Sequence, residues 1–193
     1  LPANVRAVSL RGRRPQLGVL GRAARRARDL ALTLGPRWRA LVSDTTCDPE
    51  RMRAKRSFVT RAARELRRIE RVLEREHFAP THVYGFWLLE SALAQVWLKQ
   101  SRPGVIFFSR AHSYDLYEER NDLCYLPLRR YILDGLDYVF TCSEHGMRYL
   151  CERYPDHRAM VLTSYLGTCD LPDKSLEAQD GPFRVVSCSR VAE

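Results

Sequence analysis

The chain has 193 residues, 45% of them hydrophobic and 28% charged, with a formal net charge of +9. That length carries one core of ordinary domain size, and the composition excludes a disordered or collagen-like chain. No run approaches the roughly 18 apolar residues of a membrane span, and the six cysteines, far apart and without a CxxC pair, read as reduced thiols of a cytosolic protein.

The charge is unevenly spread. Residues 1–76 hold 20 Lys/Arg against 8 Asp/Glu, whereas residues 77–193 hold 12 against 15. A basic N-terminal part suggests an anionic partner, with an arginine-rich solvated helix surface as the plain alternative. Both ends read as cut: the chain opens on Leu1 and stops at Glu193, just after a strand pattern.

In chain order, Asn4 to Leu10 alternates like a strand, and Leu20 to Val42 has the pattern of two short helices broken at Gly35-Pro36. Asp48-Pro49-Glu50 opens a long helix, because Asp caps well and Pro suits the first helical position. Its apolar residues Phe58, Ala62, Leu66, Ile69 and Leu73 recur at helical spacing and predict one buried face. Thr81 to Gly85, Val105 to Ser109, Tyr138 to Cys142 and Ala159 to Thr163 read as buried strands. Helices over Trp87 to Gln100, Leu126 to Leu136 and Glu144 to Tyr154 separate them. Near-continuous apolar strands alternating with helices predict an α/β domain over residues 1–170, its parallel sheet covered on both faces. Residues 171–182 read as a linker, and Phe183 to Cys188 as the first strand of a second domain.

Ligands of open parallel sheets bind at the carboxyl ends of the strands. There the sequence places Gly85 and Trp87, then Arg110, His112, Tyr114 and Asp115, then Ser143 and Glu144, then Leu166-Gly167-Thr168, and finally Ser189 and Arg190. Hydroxyl, imidazole, carboxylate and guanidinium groups together suit a sugar and phosphate site. Each has a plainer reading: His112 as a core histidine bonded to a carbonyl, Ser143-Glu144 as a helix cap, Trp87 as packing.

The order of these pieces carries a resemblance. Arg110-Ala111-His112-Ser113-Tyr114-Asp115-Leu116-Tyr117, Leu126-Pro127-Leu128-Arg129, Phe140 to Gly146 with Tyr149-Leu150, Tyr165-Leu166-Gly167-Thr168, and Val185 to Arg190 together resemble the bacterial family-four glycosyltransferases of exopolysaccharide and capsule assembly. The likeness covers about residues 80–193. It implies the acceptor-side, Rossmann-like half of a GT-B fold, loss of a first strand with its glycine-rich loop, and a retaining transfer from a nucleotide diphosphate-sugar to a lipid-linked or polysaccharide acceptor. Gly12 and Gly21 are poor substitutes for that loop. By resemblance His112 is the cleft histidine beside the transferred sugar, and Gly85, Trp87, Arg110, Tyr114, Asp115, Ser143 and Glu144 surround the acceptor. Ser189 and Arg190 would meet the donor phosphates, with the remaining donor residues beyond Glu193. The resemblance implies no metal or other cofactor, and no Asp-x-Asp element is present.

A peripheral position on the inner face of a membrane follows as an expectation, the basic N-terminal helices meeting anionic lipid. Two alternatives stay open: an epimerase or phosphorylase of the same architecture, and an anion-binding module. Nucleic acid is the weaker partner for the latter, because the arginines lack interleaved aromatics.

Overall fold

The computed structural model describes residues 44 and 48–167. The expected strand at residues 4–10, the helices within 20–42, the linker, the final strand, Ser189 and Arg190 lie outside the described residues. What is described is an α/β fold whose four strands, all parallel, stand side by side in chain order. The strands are β1 (His82–Gly85), β2 (Ile106–Ala111), β3 (Tyr138–Thr141) and β4 (Val161–Thr163). Helix α1 (Pro49–Arg75) precedes them, and α2 (Glu90–Lys99), α3 (Arg129–Gly135) and α4 (Glu144–Arg153) form the crossovers.

The start of α1 follows from its sequence. Asp48 takes an extended conformation and its Oδ1 accepts from the Glu50 N–H at 2.9 Å, while Pro49 occupies a position whose missing N–H costs nothing. Phe58, Val59, Ala62, Ala63 and Leu66 are buried against α2, whose own Leu93, Val96 and Trp97 are buried in turn. Helix α2 also packs on β1 and β2, so α1 forms a further layer above the helices that cover the sheet.

Alternation along the strands sorts the sheet into two faces. Phe107, Ser109, Ala111, Val139, Thr141 and Val161 are buried under the helices. On the opposite face Tyr84, Ile106, Tyr138 and Leu162 stay exposed, 37–49% of each accessible. Half-buried Phe108 and Phe140 join them, with ring centroids 5.3 Å between Tyr84 and Phe108 and 5.7 Å between Phe108 and Phe140. Coverage of both faces was the expectation. Among the described residues the helices cover one.

Element boundaries move for identifiable reasons. Helix α2 begins at Glu90, not Trp87, because the Leu88 N–H is bonded to a carboxylate 27 residues away and residues 86–89 form a turn. Helix α3 begins at Arg129, not Leu126: Leu128 sits in the left-handed region at φ 59°, which no helix start before it can accommodate. Strand β2 runs two residues further, pairing Arg110 with Phe140 and Ala111 with Thr141. Pro155–Met160 is a 3₁₀ turn, leaving β4 only three residues.

Asp137 clips the lower end of the sheet. Its Oδ1 accepts from Lys99 Nζ at 2.6 Å and its Oδ2 from the Phe107 N–H at 2.8 Å, joining the end of α2 and the start of β2 to β3. Burial pushes this carboxyl up, but the two hydrogen bonds and the Lys99 charge outweigh it and hold it below its ordinary value. A depressed folded value means stability that is present above the unfolded carboxylate value and lost as pH falls through the folded one. Asp137→Asn is therefore expected to cost about 1–2 kcal/mol in urea unfolding at neutral pH. The gap from wild type should close as the pH drops below about 4.

Candidate functional site

Because all four strands are parallel, their carboxyl ends lie along one edge, and the loops that follow them meet there. The joint of that edge is Asp115, which is completely buried. Its Oδ2 accepts from the Leu88 N–H at 2.8 Å, in the turn after β1, and its Oδ1 from the His112 N–H at 2.8 Å, at the end of β2. Buried Arg129 closes the same joint from α3. It donates to the carbonyls of Leu88 at 2.8 Å and of Asp115 at 2.5 Å. Burial pulls the guanidinium below its usual value, and the nearby charges, Asp115 among them, partly restore it. Asp115 thus spends both oxygens on backbone, so its part is to hold the two loops together rather than to face a ligand.

His112 is what the joint presents. Phe86 and Trp87 lie with their ring centroids 4.6 Å from the imidazole centroid, and the side chain is only 12% exposed. Its Nδ1 is 3.7 Å from Asp115 Oδ2, too far for a hydrogen bond, and among the described residues neither ring nitrogen has a hydrogen-bond partner. The plainer alternative for His112, a core histidine bonded to a backbone carbonyl, finds no such bond among the described residues. A buried imidazole left unbonded at the ligand edge of a sheet is an unusual cost in a folded protein.

Gly85 makes this turn possible. A Cβ there would lie 2.5 Å from Gln95 Nε2 and 3.2 Å from Ser109 Oγ, which itself donates to the Gly85 carbonyl at 3.1 Å. A larger residue at this position would have to push aside the buried end of the Gln95 side chain.

The other sequence-predicted residues fall in three places. Arg110 projects from the face of the sheet opposite the described helices and donates to the Ser164 carbonyl at 3.1 Å and Ser164 Oγ at 2.8 Å, bracing the segment after β4. Ser143 is the N-cap of α4, its Oγ accepting from the Gly146 N–H at 3.1 Å. Glu144 accepts from Tyr165 OH at 3.1 Å, a bond that raises the Tyr165 phenol above its ordinary value. Trp87 and Tyr114 stand open beside the His112 turn, Tyr114 61% exposed.

These two rings line a groove of about 570 Å³ whose opposite wall is α1, with Arg61, Arg64, Glu65 and Arg68, while Leu89, Glu90 and Ser91 come from the start of α2. Arg61 Nε donates to Glu90 Oε1 at 2.6 Å across the groove wall. The sequence reading missed this contribution of α1, and it missed Phe86 and the joining role of Arg129. Arginines three and four apart on a helix announce a shared side, but not what faces it.

Among the described residues no three His, Cys, Asp or Glu side chains are placed to hold a metal ion, and no helix is long and apolar enough to cross a membrane. Cys124, Cys142 and Cys151 are free thiols. The chain matches no protein-family model, no curated protein and no solved structure.

Removing the Asp115 carboxylate orphans two buried N–H groups and takes away one of the negative charges that offset the buried Arg129 guanidinium. Asp115→Ala is expected to lose about 3–5 kcal/mol of unfolding free energy. Asp115→Asn, which restores one acceptor, should lose less. A ligand-facing carboxylate would behave oppositely, with stability kept and only binding lost.

Proposed function

We propose that the chain is the acceptor-side part of a retaining glycosyltransferase, which moves a sugar from a nucleotide diphosphate-sugar to a lipid-linked or polysaccharide acceptor. The single observation that carries this reading is the uncommitted imidazole of His112, held between two aromatic rings at the carboxyl edge of a parallel sheet. The ordered motifs from Arg110 to Arg190 supply the reaction class through their resemblance to family-four glycosyltransferases.

In this reading the C1–O bond between donor sugar and diphosphate breaks with its electron pair going to the phosphate. An acceptor hydroxyl forms the new C1–O bond and gives up its proton, which the departing nucleoside diphosphate takes up. His112 orients by hydrogen bond: with its backbone N–H fixed by Asp115 and its ring clamped, it meets the transferred sugar or the acceptor hydroxyl without reorganising. Arg190 is the group that would pair with the diphosphate oxygens.

The same reading places the protein at an anionic leaflet. Arg53, Arg56, Arg71 and Arg75 are exposed on α1. Each cation near such a surface contributes about 1 kcal/mol.

Two outcomes test these statements in the full-length protein. With a panel of nucleotide sugars, His112→Ala is expected to lower kcat/KM about 100-fold or more while leaving the unfolding midpoint near wild type, and unchanged transfer would remove His112 from the reaction. In flotation with vesicles containing phosphatidylglycerol, binding at low ionic strength should vanish once the Debye length falls below about 8 Å. The triple variant Arg53→Ala, Arg56→Ala, Arg71→Ala should weaken it, and vesicles that never retain the protein would refute the membrane position.

A further inference from the structure

One face of the sheet is apolar and open. Tyr84, Phe108 and Tyr138 stand in one register row across β1, β2 and β3, with Phe140 and Leu162 in the next row on that face, and among the described residues no helix covers them. The rings form a ladder, with centroids 5.3 Å apart from Tyr84 to Phe108, 5.7 Å from Phe108 to Phe140 and 6.5 Å from Phe140 to Tyr138. Parallel sheets bury both faces, and an apolar patch of this kind marks a contact surface.

The same chain carries a segment that fits this face. Residues 20–34, outside the described residues, repeat Leu20, Ala23, Ala27, Leu30, Ala31 and Leu34 at helical spacing, and Arg22, Arg25 and Asp29 fall on the opposite side of that period. The stripe is small where the sheet is large: its alanines leave room for protruding rings, the pairing of sizes by which facing layers interlock. Widths agree as well, since the ladder crosses three strands, about 10 Å, and a helix is about 10 Å across. We propose that residues 20–34 dock as a helix on the open face, the alanine stripe against Tyr84, Phe108, Tyr138 and Phe140 and the arginines turned outward. The proposal is independent of the transferase reading.

The place where the described chain begins favours this occupant. Asp44 accepts at Oδ2 from the Leu128 N–H at 3.0 Å, in the loop that leads from β2 to α3, and so fixes the chain at the carboxyl edge of the sheet. Nine residues separate Leu34 from Asp44 and reach up to about 30 Å, enough to round that edge from the helix-covered side to the open one. A tether of that length holds the segment at a roughly millimolar effective concentration, which a second copy of the chain would have to match.

The test uses the full chain with p-benzoylphenylalanine, a photoreactive ring, in place of Tyr138. Irradiation is expected to give an intramolecular cross-link into residues 20–34, located by mass spectrometry. Ala27→Asp with Ala31→Asp, which sets charge against the rings, should cut its yield about fivefold or more. Arg22→Ala with Arg25→Ala should leave it unchanged. In the unmodified chain, hydroxyl radicals should oxidise Tyr84 and Tyr138 several times more slowly than Tyr114, although the described residues leave all three exposed. A cross-link into a second copy or any other segment, no cross-link, an undiminished yield in the aspartate variant, or like oxidation rates for the three tyrosines would each overturn the proposal. The cross-link site and the oxidation rates decide the question even where the aspartate variant fails to fold.

Discussion

One buried carboxylate sets the geometry of everything at the ligand edge. Asp115 reaches the turn after β1 and the end of β2 with one oxygen each, and Arg129 binds the carbonyls on the same two segments. Two loops that are 24 or more residues apart in the chain are thereby held as one body. Burying an acid and a guanidinium together is costly unless each is fully bonded. Here the acid meets backbone donors and the guanidinium meets backbone acceptors through Nη1 and Nη2, its Nε finding no partner among the described residues, so the opposite charges share a site while their hydrogen bonds go to the loops.

Helix α1 shows how one element serves three surroundings. Its inner side, Phe58 to Leu66, makes the core with α2, its flank walls the groove, and its outer side carries the exposed arginines. Because the helix is about 40 Å long and rigid, the three are fixed relative to one another. A surface gripping the outer arginines would set the tilt at which the groove is presented.

Much of this fold is legible in the sequence, and the reasons are local. Asp48-Pro49 marks the start of α1, and the spacing of Phe58, Ala62 and Leu66 marks its buried side, because capping and periodicity act within one element. The strands from 82 to 163 show as apolar runs for the same reason. What stays hidden depends on partners distant in the chain. Nothing near Leu88 signals that its N–H belongs to Asp115, so the start of α2 reads three residues too early. Asp115 reads as a sugar contact because a carboxylate after a strand looks alike whether it faces solvent or backbone. The sheet face that the described helices leave open is hidden too, since Tyr84, Phe108 and Phe140 alternate with buried residues in runs that are apolar throughout. His112 is half legible: its place after β2 is plain, while its unbonded nitrogens and the ring of Phe86 emerge only in three dimensions.

The close fit of Gly85 beneath Gln95 has a consequence for how such a site can change over time. Positions 115 and 129 tolerate little exchange, because their side chains are buried and bonded to backbone, and at 85 a larger residue must first displace the buried end of Gln95. Trp87, Tyr114, Arg64 and Arg68 stand outside that frame and can vary without unfolding anything. Divergence should therefore accumulate on the rim and spare the frame, letting descendants of this fold acquire new ligand preferences by single steps while the histidine they surround keeps its orientation.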